Sequence, residues 1–312
     1  MEEIIAPVDR EKILAELTNE HLIRKSHFGS NLLFSITAHN APNTMLEIGR
    51  LREIAFRAAG GGTGKNADID EYDTNKKAPY NQLIVWDPEH KEIIGGYRYI
   101  LCNHTRDENG TYHLATKELF EFSDEFKEHY LPYVIEMGRS FVHLEYQSGN
   151  KARKGIFALD NLWEGLGAVV KMNSHIKYLL GKVTMYLQYD KLARDYILYF
   201  LKKNFPDTKQ LVKPIKPLHF HHPESDLAPV FTGKTIKEDY KILFSKVREQ
   251  NVNIPPLINS YVNLSETIKI FGTALNTTFG DVEETGMLVT VNEIEPKKYE
   301  RYINSYNPDE GM

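Results

Sequence analysis

The chain has 312 residues, 41% of them hydrophobic and 26% charged; that is enough for a sizeable core without disulfides or metals. Its 38 basic and 43 acidic side chains leave a net charge of −5, which excludes a global basic field for nucleic acid. One cysteine, Cys102, excludes an intramolecular disulfide. The acidic start Met1-Glu2-Glu3 is no secretory leader, and no apolar run nears the ~20 residues that span a bilayer. A cytoplasmic protein is expected, with peripheral contact at the inner face of a membrane left open.

Residues 9–18 read as a short helix with Ile13, Leu14 and Leu17 on one face. Leu32, Phe34 and Ile36 alternate and predict a strand over 31–38. Pro42 opens a helix carrying Met45, Ile48, Leu51, Ala55 and Ala58 at helical spacing, and the run Gly60–Gly62 and Gly64 ends it. Strands are predicted over 82–86 and 92–101, joined as a hairpin through Asp87-Pro88-Glu89-His90, and over 133–143. Residues 157–177 carry the strongest helical stripe: Leu159, Leu162, Trp163, Leu166, Val169 and Val170. A strand over 179–187 follows, then a helix over 189–203 with Leu192, Tyr196, Tyr199 and Phe200 inward. A loop-rich stretch with Pro206, Pro214, Pro217 and Pro223 runs to about 235. Two further helical stretches and a strand over 287–291 close the chain. Interleaved helices with hairpin-like strands predict a mixed α/β sheet. The expected organisation is one domain, 1–312, with a Pro-rich insertion near 206–235 and a C-terminal helix-strand extension at 250–295.

Three constellations invite chemistry. The glycine run before Lys65 suggests a phosphate loop, but Ala59 and Asn66 stand where the motif needs Gly and Ser/Thr, and a helix precedes it instead of a strand. A lid or turn is the better reading. His219-Phe220-His221-His222 has spacing suited to zinc, yet no cysteine lies near and the close carboxylates are Glu224 and Asp226, so a surface loop is expected and no metal. The third is a scattered charge set: Arg52 on a helix, Asp68, Asp70, Glu71 and Asp73 after the glycine run, and Arg98, Glu136 and Arg139 inside apolar strands. Charges in buried strands are costly unless paired. Spacing alone leaves an ion-pair network and a functional polar site equally open.

The order of motifs adds a resemblance. Leu51-Arg52-Glu53-Ile54-Ala55-Phe56, Asp70-Glu71-Tyr72-Asp73, Gly96-Tyr97-Arg98, Glu136-Met137-Gly138-Arg139-Ser140-Phe141-Val142-His143, Leu162-Trp163-Glu164-Gly165 and Ile254-Pro255-Pro256-Leu257-Ile258-Asn259-Ser260-Tyr261 occur in sequence over about 45–295. This resembles the N-acyltransferase branch of the GNAT superfamily: autoinducer synthases, N-acyl amino acid synthases and, most closely, the hemolysin-like enzymes of ornithine-lipid and glycine-lipid synthesis. The autoinducer branch's loop tryptophan has no counterpart near 60–66, which argues against S-adenosylmethionine as substrate.

The resemblance implies a mostly antiparallel GNAT-type central sheet flanked by helices. It implies an acyl-transfer site lined or braced by Arg52, Phe56, Asp70, Asp73, Arg98, Glu136 and Arg139. Amine attack on a thioester needs a base; Glu136 is the expected one, with Asp70 as alternative or partner. Arg98 or Arg139 would hold the acceptor's carboxylate. The donor is expected along Gly138, Ser140, Phe141 and Val142, where a bulge permitted by Gly138 could free a backbone N–H for the oxyanion. It continues to the loop bearing Lys151, Arg153, Lys154 and Gly155. That loop lacks the clean Gln/Arg-x-x-Gly-x-Gly/Ala signature, which suits an acyl carrier protein over CoA; its cations would then face an acidic carrier. The implied reaction is long-chain, possibly 3-hydroxy, acyl transfer to the α-amine of glycine or ornithine, with no tightly bound cofactor. The rivals are a CoA-dependent N-acetyltransferase and a non-catalytic acyl-binding regulator.

Overall fold

The computed structural model describes residues 1–308. In chain order the strands are β1 Leu22–Lys25, β2 Leu32–Ile36, β3 Asn81–Asp87, β4 Glu92–Leu101, β5 Phe120–Phe122, β6 Val134–Val142, β7 Tyr178–Met185, β8 Val212–Pro214, β9 Lys269–Asn276 and β10 Val282–Thr290. The helices are α1 Arg10–Glu16, α2 Pro42–Ala59, α3 Glu71–Thr74, α4 Asp124–His129, α5 Ala152–Gly155, α6 Ala158–Met172, α7 Lys191–Asn204, α8 Glu224–Leu227, α9 Ile236–Glu249, α10 Pro256–Val262 and α11 Pro296–Tyr299. They gather into two compact units. The first holds residues 1–115, 135–176 and 296 onward, and the second holds 116–134 and 177–295.

In the first unit β1, β2, β3, β4 and β6 pair antiparallel in that order. The β3–β4 hairpin forms across residues 88–91 as the turn chemistry predicts. Helix α2 starts at Pro42 and stops at Gly60, whose φ of 97° only glycine adopts freely. The predicted Trp163 stripe is core: every residue from Asn161 to Val170 is buried. Helix α6 lies so close to the sheet that a Cβ on Gly165 would meet Leu83 and Leu33 at 2.7–2.8 Å. Its outer turns carry the C-terminal segment: the Tyr302 hydroxyl donates to Asp160 at 2.8 Å, and Arg301 pairs with the same carboxylate. A Cβ on Gly167 would sit 2.0 Å from the Tyr302 carbonyl oxygen. Gly167→Ala is therefore expected to push that segment off α6 and cost about 1–3 kcal/mol, read as a lowered thermal midpoint.

In the second unit β7, β10 and β9 pair antiparallel, and β5 pairs with β8. Helix α7 follows the predicted helix, but its inward face is shifted. Phe200 is buried with Ala193, Ile197 and Leu201, while Leu192, Tyr196 and Tyr199 are half-buried. The Pro-rich stretch is less irregular than expected: it contributes β8 and α8, and Pro206 and Pro217 make bridges to Ile270 and Ala274 of β9.

Strands β1, β5 and β8 were not anticipated, and β9 and β10 departed from the sequence expectation for identifiable reasons. In β9, Gly272 takes a φ of 92° opposite a register shift between Thr285 and Met287, so the alternation that signals a strand is broken. Strand β10 begins five residues before the predicted start, because Glu283 and Glu284 look like loop residues yet are buried. Arg194 grips Glu283 at 2.8 Å, and the Asn276 amide donates to Glu284 at 2.9 Å.

Candidate active site

The scattered charges of the first unit converge into one cluster. Arg52 projects from α2 with no exposed surface; its guanidinium donates to Asp73 at 3.2 Å and to the Gln82 side chain at 2.5 Å. The Gln82 amide in turn donates to Asp73 at 2.9 Å. Asp70 caps the single-turn helix α3, accepting from the N–H groups of Tyr72 and Asp73, and Asp73 returns the bond from the N–H of Asp70. Asp70 also receives Arg98 on both oxygens, at 2.7 and 2.8 Å. The Arg98 guanidinium lies 3.3 Å from Asp73 and sits over the ring of Tyr80, 5.0 Å from its centre.

The β6 strand decides where Glu136 and Arg139 point. Ile100 faces Glu136 and Arg98 faces Gly138, but the next pair is Gly96 with Phe141, so Arg139 and Ser140 together oppose Tyr97. This is the β-bulge anticipated from Gly138. The left-handed backbone falls one residue later, on Arg139 at φ 51°. Regular alternation would send Glu136 and Arg139 to opposite faces. The bulge instead brings Arg139 to the same acidic segment: its Nε lies 2.9 Å from Asp68 and an Nη 3.5 Å from Asp70, which it shares with Arg98. Glu136 is buried and accepts the Tyr80 hydroxyl at 2.6 Å; that hydroxyl accepts the N–H of Ala115 at 3.1 Å.

Three guanidinium groups thus face Asp68, Asp70 and Asp73, and Glu136 stands beside this balanced set with Tyr80. Burial works to raise the Asp70 carboxyl, but Arg98 and Arg139 outweigh it and hold it well below the usual range. For Asp68, burial wins over the same arginines and pushes its carboxyl up. Burial, with the Glu136 carboxylate alongside, pushes the Tyr80 hydroxyl well above its ordinary value, so it remains a hydrogen-bond donor to Glu136. Burial disfavours the charged form of Arg98, yet Asp73 and Asp70 hold it firmly protonated.

Comparisons with known proteins give the family. The acetyltransferase (GNAT) domain model matches residues 51–154, a span containing every residue of the cluster. The glycine N(alpha)-acyltransferase of Bacteroides thetaiotaomicron is 55% identical over 307 residues, covering 98% of this chain and 91% of its own. The protein of the same name from Phocaeicola vulgatus is 53% identical over 307 residues, covering 98% and 94%. The chain belongs to their family of GNAT-fold N-acyltransferases. The solved structure of FeeM, an N-acyl amino acid synthase from uncultured soil microbes, aligns over 88% of this chain and 94% of its own. Its identity is 10% and its TM-score 0.35, too low to bear on function.

In this GNAT-fold N-acyltransferase the strand and loop expected to take the donor are continuous. Gly138, Arg139 and Ser140 are half-buried at the bulge, Phe141 is buried, and Val142 is half-buried at the strand end. The segment 144–155 that follows is pinned to the β3–β4 hairpin. The Tyr146 hydroxyl donates to Asp87 at 3.1 Å and Glu92 at 3.2 Å. Lys151 pairs with Glu92 at 2.6 Å and Glu145 at 2.8 Å, and Lys154 with Asp87 at 2.9 Å and Glu89 at 2.6 Å. The lysines expected to face an acidic partner are thus turned onto carboxylates of their own chain, because the hairpin carries four acidic oxygens within their reach. Arg153 is exposed, and Gly155 is required where its Cβ position lies 1.8 Å from the Tyr146 carbonyl oxygen.

Asp87 also accepts from His90 at 2.7 Å. Burial works to raise its carboxyl, but Lys154, His90 and the Glu89 N–H hold it down at about 2. An unfolded aspartate titrates near ~3.9, so its stabilisation is full above that pH and lost as pH falls through the folded value. The fall in thermal midpoint between pH 5 and pH 2.5 is therefore expected to be smaller in Asp87→Asn than in wild type.

The glycine run is not a phosphate cradle. The N–H groups of Thr63 and Gly64 are already bound to the buried Glu53 carboxylate, at 3.0 and 2.7 Å. In the 219–222 loop, His222 pairs with Asp195 at 2.9 Å. Among the described residues the one grouping with metal-ligand spacing is Asp87, Glu89 and His90, and Lys154 occupies its centre. No described helix is long and apolar enough to cross a membrane.

Sequence reasoning placed Asp68 in the charge set without a role and passed over two members of the cluster, Gln82 and Tyr80. Gln82 had a usable signal, as a polar residue opening the apolar run Leu83–Trp86. Tyr80 had none. Phe56 packs in the core one turn beyond Arg52. With Arg52, Asp73 and Arg98 buried and bonded to one another, bracing is the role this geometry gives them.

Proposed function

We propose that the protein transfers a long-chain fatty acyl group from the thioester of acyl carrier protein to the α-amine of glycine. The products are an N-acylglycine and the free carrier thiol. The observation that carries the acceptor is identity of 55% over 98% of the chain to a protein named for glycine acylation. The fit of the residues supports the chemistry. Glu136, a buried carboxylate oriented by Tyr80, takes a proton from the glycine ammonium, and the neutral amine attacks the thioester carbonyl. The carbon–nitrogen bond forms, the carbon–sulfur bond breaks, the second proton shed by the nitrogen goes to the departing sulfur, and Glu136 returns the first to solvent. The oxyanion is received at the Arg139-Ser140 bulge, where the strand register shifts. Arg139, the most exposed of the three arginines at 17% of its side chain, holds the glycine carboxylate; Arg52, Asp70, Asp73 and Arg98 keep it and Glu136 in place. The donor's phosphopantetheine lies along 138–142 and the segment 147–156. The protein works in the cytoplasm, at the inner membrane face where its product partitions.

Purified protein is tested with long-chain acyl carrier protein, long-chain acyl-CoA and acetyl-CoA, each against glycine and ornithine, with products read by mass spectrometry. Long-chain N-acylglycine from the carrier-bound donor is expected. Turnover of acetyl-CoA alone, or acylation of ornithine and not glycine, overturns the reading. Tyr80→Phe removes one hydrogen bond to a carboxylate, worth about 1.5 kcal/mol, and is expected to lower kcat about tenfold.

A further inference from the structure

The segment between Tyr146 and Phe157 lacks an apolar anchor of its own. It reads Gln147-Ser148-Gly149-Asn150-Lys151-Ala152-Arg153-Lys154-Gly155-Ile156, and its one large apolar side chain, Ile156, is 73% exposed. Burial of hydrophobic surface therefore does not fix its position. Ion pairs and one tyrosine fix it, and the most buried of the carboxylates they reach is Asp87. Asp87, at the end of β3, has a side chain only 1% exposed. One of its oxygens takes the Tyr146 hydroxyl, the His90 ring and Lys154; the other takes Lys154 and the N–H of Glu89. Glu92, one turn of the hairpin away, takes Tyr146 and Lys151. Tyr146 itself is buried, and Gly155 lies directly against its carbonyl.

We infer that Asp87 is a positioning residue for the acyl donor: through Tyr146 and Lys154 it sets the path of the segment that receives the donor's phosphopantetheine. This rests on the donor placement proposed above. Asp87 touches neither substrate nor the reacting atoms. Its effect is on how the donor is held, because the segment begins directly after the bulged strand and has no other anchor of comparable burial. Lys151 and Lys154 are accordingly structural partners of the hairpin, and Arg153 is the cation of the segment left to face a donor's phosphate or carrier.

The inference predicts a split that a general loss of packing does not produce. Asp87→Asn, Lys154→Met and Tyr146→Phe are each assayed with long-chain acyl carrier protein and glycine, well below their own unfolding midpoints. Donor KM is expected to rise about tenfold in each, the order set by a small misplacement of a binding element. Glycine KM is expected to stay unchanged and kcat within about twofold. The double variant Asp87→Asn/Lys154→Met is expected to be no worse than either single change, because both cut the same link. If Asp87→Asn fails to fold, the tyrosine and lysine variants carry the same test. Wild-type turnover with donor KM unmoved in the folded variants overturns the inference alone. Glycine KM rising in step with donor KM also overturns it. Absence of N-acylglycine from the wild-type reaction overturns the acylation reading, and this inference with it.

Discussion

Glu136→Gln is expected to yield a folded protein whose kcat for N-acylation is lower by about 10²–10⁴-fold. The amide has the shape of the carboxylate, and its oxygen can still accept the Tyr80 hydroxyl that reaches Glu136 at 2.6 Å. What it lacks is basicity. Asp70 does not replace it, because Arg98 and Arg139 hold that carboxylate far below the range where it would accept a proton at neutral pH. The loss should shrink as pH rises, since solution then supplies the neutral amine that the carboxylate otherwise produces. Steady-state rates from pH 6 to 9, with circular dichroism as the folding control, read both effects. Wild-type kcat in a folded Glu136→Gln protein would remove the base assignment.

Arg52→Met is expected to cost about 3–5 kcal/mol of stability, the range for breaking a buried ion pair from one side. Its guanidinium is fully buried, with Asp73 at 3.2 Å and Gln82 at 2.5 Å. Methionine fills much of the volume but leaves Asp73 with Arg98 as its remaining guanidinium and removes the donor from the Gln82 oxygen. Burial disfavours the charged form of Arg52, and Asp73 and Asp68 oppose that shift, so each charge is tolerable only in the company of the others. Arg52→Met/Asp73→Asn should then be less destabilised than the sum of the single changes, because the uncompensated charge is gone. Urea unfolding midpoints measure the cycle. Additive losses, or an Arg52→Met variant within about 1 kcal/mol of wild type, would mean that the cluster is not one coupled network.

Much of the first unit was legible because its elements follow simple apolar patterns. The helix from Pro42 to the glycine run buries one broad stripe, while β3, β4 and the Trp163 helix are buried nearly all round and show as apolar runs bounded by turn residues. The second unit was read less well where its strands break that regularity, at Gly272 in β9 and at the buried glutamates that open β10. The site was half legible. Charged residues inside apolar strands announced Arg98, Glu136 and Arg139, and the order of motifs joined them to Arg52, Asp70 and Asp73. Which charge meets which was not legible, because pairing depends on the bulge that turns Arg139 and on the capping turn that places Asp70. Tyr80 was invisible for the same reason: a tyrosine before a strand acquires its meaning only when β6 brings Glu136 to its hydroxyl. The basic loop was read correctly as basic, but its lysines were assigned to a partner when the hairpin beside them supplies their counter-charges.

The central claim is that this N-acyltransferase makes an N-acylglycine with Glu136 as its base. Mass spectrometry of lipid extracts, from cells expressing wild-type protein and cells expressing Glu136→Gln at equal level, tests it most directly. A series of long-chain N-acylglycines is expected with the wild type and is expected to be nearly absent with the variant. The same N-acylglycines at equal abundance in both extracts, or an N-acyl product built on another amino acid, would contradict it.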